Sequence, residues 1–111
     1  MHQGIYQEIK SVAQKQGIIH YSEIAPLANL DMSSPEDRRE IGHILGEISR
    51  YENAHGRPML SAVVVHRNNN KPGKGFFELA RELGVYDGID NDDFFIRELN
   101  RVHEYWGNIK K

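Results

Sequence analysis

The chain has 111 residues, no cysteine and a formal net charge of −2, with 39% hydrophobic and 27% charged residues. The missing cysteine excludes disulfides, thiol catalysis and thiolate metal sites. No apolar run approaches the roughly 18 to 20 residues that a membrane-spanning helix needs. The composition is that of a soluble globular protein long enough to bury a core unaided, and a single domain is expected over residues 1–111.

The opening Met-His-Gln-Gly-Ile-Tyr-Gln-Glu lacks a basic stretch followed by an apolar core. A secretory signal is not expected, and the cytoplasm is the default compartment. Ile5, Ile9, Val12 and Ala13 recur at helical spacing, which predicts an amphipathic helix over residues 4–16 with Gly17 as its C-terminal cap. Ile18 and Ile19 continue as a short extended segment ending near Tyr21. Ser22 is the expected cap of a short helix over residues 23–28, with Pro26 near its first turn. Ser34-Pro35 is the strongest helix start in the chain, an N-cap oxygen followed by a proline at the first helical position. Glu36 and Asp37 add negative charge beside the positive end of that helix. Ile41, Ile44, Leu45 and Ile48 form its apolar stripe, and His55-Gly56 ends it.

Met59–Val65 reads as a strand, because Ala62-Val63-Val64-Val65 is a continuous apolar run of the kind buried on both faces. Residues 67–75 form a loop rich in Asn, Lys, Pro and Gly. Phe76, Leu79, Ala80 and Leu83 lie at helical spacing, with Gly84 as the stop. Asn91 is the expected cap of a last helix that carries Phe95, Leu99, Val102 and Trp106 on one stripe. Tyr105 and Trp106 are expected to close the core. The fold class is therefore α+β and mostly helical. It reads as a winged-helix-like unit over residues 1–77, made of three helices, a strand and a basic loop. A C-terminal helical extension over residues 78–111 adds two helices.

Charge is unevenly placed along this order. Residues 1–56 hold five basic and eight acidic side chains, or −3. Residues 57–77 hold four basic and no acidic ones, or +4, and residues 78–99 hold two basic and seven acidic, or −5. The last twelve residues carry +2. A basic island in an acidic chain points to a polyanion, and equally to a solvated loop.

In a winged helix the third helix enters the major groove while the wing touches phosphates. Arg38 and Arg39 sit at the start of the third helix, with His43 one turn beyond. Arg67, Lys71 and Lys74 belong to the basic loop. These side chains, with Tyr21 and Ser22, form the candidate nucleic-acid-binding set, and double-stranded DNA is the expected partner. Glu36, Asp37 and Glu40 lie in the same turns as the arginines and are placed to pair with them instead.

Two segments carry a resemblance. Ile19-His20-Tyr21-Ser22-Glu23-Ile24-Ala25 and Arg38-Arg39-Glu40-Ile41-Gly42-His43-Ile44-Leu45 resemble the winged-helix domain of the alkyltransferase-like DNA-repair proteins. That family has a Thr-Tyr-Gly-x-Ile-Ala segment followed by Arg-x-Val-Gly. The resemblance implies that Tyr21 matches the family tyrosine and Arg39 the arginine inserted into the duplex. It covers about 30 of the 111 residues, and the spacer between the two segments is longer here. The family's reactive Pro-Cys-His-Arg is absent, and Met59-Leu60-Ser61-Ala62 stands roughly in its place, so alkyl transfer is excluded.

Other patterns are weaker. Pro72-Gly73-Lys74-Gly75 lacks the spacing and terminal Ser or Thr of a P-loop. Its glycines read as turn residues with positive φ, although a phosphate at the start of the Phe76 helix stays physically open. No two of the six histidines have the helical i, i+4 spacing of a zinc pair. Asp87, Asp90, Asp92 and Asp93 suggest either a hard cation or helix capping, and the calcium-loop pattern is missing. Ser61 and His66, five residues apart on one strand, would face opposite sides, which argues against a hydrolase pair. No catalytic motif, metal or cofactor is assigned. The alternative to DNA binding is a protein-interaction or inhibitor module, or a homodimer, docking through the acidic and aromatic C-terminal third.

Overall fold

The computed structural model describes residues 1–110 and is mostly helical, with five α-helices and one two-stranded sheet. Helix α1 (Gln3–Gln14) buries Ile5, Ile9 and Ala13, the apolar positions of its repeat. His2 caps it, Nδ1 accepting the Ile5 N–H at 3.0 Å. The helix closes through Lys15, and Gln16, at φ 57°, takes the left-handed turn expected of Gly17. That conformation costs a residue with a Cβ roughly 1–2 kcal/mol. The Gln16 side chain reaches across the fold instead, donating to the His103 carbonyl at 3.4 Å.

Strand β1 (Ile19–His20) leads directly into α2 (Tyr21–Ile24) and a 3-10 turn over Ala25–Ala28. The helix begins one residue before Ser22, so Ser22 lies inside its first turn and is not the cap. Glu23 reaches back from that turn to accept the His20 N–H at 3.1 Å. Helix α3 (Pro35–Ala54) starts as expected, with Ser34 Oγ accepting the Asp37 N–H at 3.3 Å. Ile41, Leu45 and Ile48 are buried, and so are Ser49 and Glu52 on the same helix.

The expected strand Met59–Val65 is shorter than its sequence suggests. Leu60–Val63 coil into a 3-10 turn, and β2 is only Val64–Val65. It pairs in parallel with β1, in the register Ile19↔Val64 and His20↔Val65. The turn packs against α1, α3 and the last helix rather than between strands, so its polar backbone groups are satisfied locally and by side chains. Ala62 N–H bonds the Met59 carbonyl at 3.0 Å. The Met59 N–H donates to the buried Glu98 Oε2 at 2.9 Å, and the Ser61 N–H to Ser49 Oγ at 3.2 Å.

Helix α4 (Lys74–Glu82) ends at Gly84, φ 79°, and α5 (Asn91–Lys110) closes the fold. Asp90, not Asn91, caps α5, its Oδ1 accepting the Asp93 N–H at 3.0 Å. Asn91 is instead engaged by the Tyr86 hydroxyl. Phe76, Tyr86, Phe94, Phe95, Val102 and Trp106 join the buried cluster that begins at Ile5. No helix among the described residues is long and apolar enough to cross a membrane.

Two carboxylates are sunk in this core. Glu98 is 2% exposed and binds the Met59 N–H and Arg101 at 2.7 Å. Glu52 is 0% exposed and accepts the Tyr6 hydroxyl at 3.1 Å and the Arg57 guanidinium at 3.0 and 2.8 Å. Removing one member of a buried pair leaves an uncompensated charge. Glu52→Ala is therefore expected to lose about 3–5 kcal/mol in denaturant unfolding, with Arg57→Ala close behind. Burial first, and the Glu52 charge second, push the Tyr6 hydroxyl from 10.0 up to about 12. The folded chain thus keeps this proton after the unfolded chain has released it. Its contribution is complete below pH 10 and is lost as pH rises toward 12. Unfolding midpoints measured across that range should fall, and Tyr6→Phe should make the fall shallower.

Candidate nucleic-acid interface

A groove that takes in part of the expected set is framed by α3 and α4. Gly46 faces Leu79, and one turn on Arg50 pairs with Glu82. The two helices therefore run in the same direction, with their starts at one end. Between them lies a groove of about 880 Å³. Gly42 and Gly46 lie one turn apart on its α3 side, and a Cβ on Gly42 would meet nothing within 4 Å. The missing side chains keep the groove open.

Four of the eight expected residues line it: Tyr21, Arg38, Arg39 and His43. The groove also holds His66 and the glycines on either side of Lys74. Arg38, Arg39 and His43 are exposed, whereas Tyr21 and His66 are half-buried. The lining also includes the carboxylates of Glu40, Glu47, Glu78 and Glu82 and the Arg50 guanidinium, so Glu40 shares the end that holds Arg38 and Arg39. The expected pairing of Glu36, Asp37 or Glu40 with the arginines does not form among the described residues. Asp37 accepts the Asp31 N–H at 2.8 Å, and Arg38 donates to the Met32 carbonyl at 3.1 Å.

The other four expected residues lie elsewhere. Ser22 Oγ accepts a bond from Arg67 at 3.3 Å, and Arg67 stands 3.9 Å from Glu23. Lys71 pairs with Asp92 at 3.1 Å across two exposed side chains, a contact worth at most about 1 kcal/mol. Lys74 opens α4 and has no ion-pair partner among the described residues. Residues 67–73 form a loop and add no further strand. Its left-handed residue is Asn70, φ 54°, and not a glycine of the Pro-Gly-Lys-Gly run.

Gly73 has an ordinary extended φ of −73°. Its requirement is one of approach: a Cβ there would lie 3.4 Å from both His66 Nε2 and the Tyr21 hydroxyl. The Tyr21 and His66 rings sit 4.5 Å apart, and the Gly73 N–H donates to the Tyr21 hydroxyl at 2.9 Å. Burial pushes the Tyr21 hydroxyl up in pKa, partly offset by the Gly73 N–H, so it stays protonated at neutral pH.

His20 ties the loop down from the other side. Its Nδ1 contacts Glu23 Oε1 at 2.7 Å and its Nε2 contacts Asn70 Oδ1 at 3.1 Å. The His20 N–H first, and its ring second, hold the Glu23 carboxyl below its usual range. Sequence reading missed His20, His66 and Asn70. The only available signal was His66 directly after the valine run, where it read as the end of the strand and was weighed only as a partner for Ser61. Ser61 and His66 do not face opposite ways along a strand, since Leu60–Val63 is coiled. The Ser61 hydroxyl is occupied by Ser49 at 2.6 Å. Among the described residues no group of three or more His, Asp or Glu could hold a metal ion.

No protein-family model matches the chain, and neither a curated protein nor a solved structure matches it. The site is read from its own residues. The Tyr21–Gly73 bond is the element that joins α2 to the start of α4. Tyr21→Phe should cost about 1 kcal/mol, and hydrogen exchange at the Gly73 amide should speed up by roughly five-fold while α3 amides stay unchanged.

Proposed function

We propose that the chain is a small, non-catalytic DNA-binding protein of winged-helix-like arrangement, holding duplex DNA with the start of α3 and the loop that precedes α4. One observation carries the reading. Arg38 and Arg39 are exposed, form no ion pair with the carboxylates of their own turns among the described residues, and line a groove with Tyr21, His43 and His66. Lys74 stands between two glycines that line the same groove. Phosphate contacts from such side chains supply affinity, and base contacts from the helix start supply preference. The resemblance to alkyltransferase-like DNA-repair proteins supports the same assignment, with Tyr21 and Arg39 in the matching positions. Lys71 is a lesser contributor, because Asp92 holds it.

The reading predicts salt-sensitive binding to a short duplex, with micromolar affinity at low salt, measured by fluorescence anisotropy. Arg39→Ala and Lys74→Ala should each reduce the log–log salt slope by about 0.9, and Lys71→Ala by less. The triple variant should not bind. No anisotropy change for the wild-type chain at micromolar protein and low salt would sink this reading.

A second reading rests on the acidic corner at the start of α5. Ile89 is 84% exposed and Ile96 57% exposed, beside Asp87, Asp90, Asp92 and Asp93. That corner suits a basic protein surface or a second copy of the chain. It is favoured if duplex binding is absent and sedimentation shows a concentration-dependent dimer that Ile89→Asp disperses.

A further inference from the structure

We propose that Tyr21, His66 and Gly73 form a slot for one phosphate group, and that this slot is where the chain grips the DNA backbone. The inference rests on the DNA-binding reading and adds a residue, His66, that the sequence pattern did not single out.

The slot has three properties. The Tyr21 hydroxyl spends a lone pair on the Gly73 N–H, which leaves its own proton to donate into the groove. The His66 ring packs against Tyr21 with centroids 4.5 Å apart and planes tilted by 37°. It makes no hydrogen bond to another described residue, although the His66 backbone is bonded on both sides, its N–H to Lys71 and its carbonyl to Asn70. The ring is thus fixed in place with a nitrogen unspent. Finally, Gly73 has no side chain where a Cβ would stand 3.4 Å from each of these two polar atoms. Its φ and ψ of −73° and 169° are open to any residue, so the conformation does not demand glycine, and the bare Cα leaves the approach to both polar atoms clear.

A ligand oxygen approaching past Gly73 meets the Tyr21 hydroxyl as a donor and the unbonded His66 ring beside it. Arg38 and Arg39 line the same groove, and an anionic oxygen is the partner that hydroxyl and guanidinium donors fit. Free phosphate and a backbone phosphodiester present the same oxygen, and the experiment separates them.

The test follows the His66 ring by nitrogen-detected NMR while the full chain is titrated with inorganic phosphate, and in parallel with a short duplex. Perturbation of the His66 ring by both, abolished in Gly73→Ala, is the expected result. Gly73→Ala puts a methyl group in the slot without touching any cation, and its backbone angles tolerate alanine. His66→Phe keeps the stack on Tyr21 but removes the nitrogens, and should weaken duplex binding about ten-fold. His66→Gln, which restores an N–H donor, should recover part of that loss. A response to phosphate with no duplex binding keeps the slot and removes the DNA reading. Duplex binding that Gly73→Ala and His66→Phe leave unchanged overturns the slot and keeps the DNA reading. No response to either ligand overturns both.

Discussion

The structure depends on how one buried stretch, Arg57–Val65, satisfies its backbone. This apolar run has no long strand to pair with, so its donors and acceptors must be met in other ways. Four residues coil into a 3-10 turn, and the remaining groups are met by side chains sent inward from the helices around it. Glu98 comes from α5 to the Met59 N–H, and Ser49 comes from α3 to the Ser61 N–H. Glu52, also from α3, takes the Arg57 guanidinium. Each of these polar groups would be expensive to bury alone. Together they fix where α3 and α5 lie relative to the centre. Trp106, which buries its ring but finds no partner for Nε1, is the one place among the described residues where such matching is incomplete.

The short sheet then transmits that central placement to the groove. The register Ile19↔Val64 and His20↔Val65 is only two residues long, yet it decides what comes next. The residues that follow on the two strands are Tyr21 and His66, and continuing side by side they meet ring to ring at 4.5 Å. A one-residue shift would place other side chains there. Gly73 closes against this pair through its N–H, which sets the start of α4 beside the start of α3. The groove is therefore a consequence of the strand register and of the helix direction, both of which follow from the buried stretch.

Electrostatics sorts the basic residues into two groups. Lys71 is drawn to Asp92 and Arg67 to Ser22 and Glu23, so half of the +4 island serves to hold its own loop against α2 and α5. Arg38 and Arg39 belong to an acidic half of the chain yet form no ion pair with Glu36, Asp37 or Glu40 among the described residues: Asp37 accepts the Asp31 N–H and Arg38 donates to the Met32 carbonyl. Local net charge is thus a poor guide to which cations are available, and hydrogen-bond commitments are a better one.

The amino-acid sequence by itself determined the helices. Apolar repeats at Ile5–Ala13, Ile41–Ile48, Phe76–Leu83 and Phe95–Trp106, with stops at Gly56 and Gly84 and a start at Ser34-Pro35, are local signals acting within a few residues. Arg38, Arg39 and His43 at the head of α3 were legible for the same reason. Cap assignments were less so: Gln16 and Asp90 take roles that Gly17 and Asn91 would fill locally, because Gln16 bonds α5 and Asn91 is held by Tyr86. Only the tertiary structure decided that the valine run coils before it pairs, that its two paired residues run parallel to β1, and that His66 stands against Tyr21 and Gly73. Those outcomes depend on partners 39 to 52 positions away, Glu98 for Met59 and Tyr21 for Gly73, and no periodicity within a single segment records them.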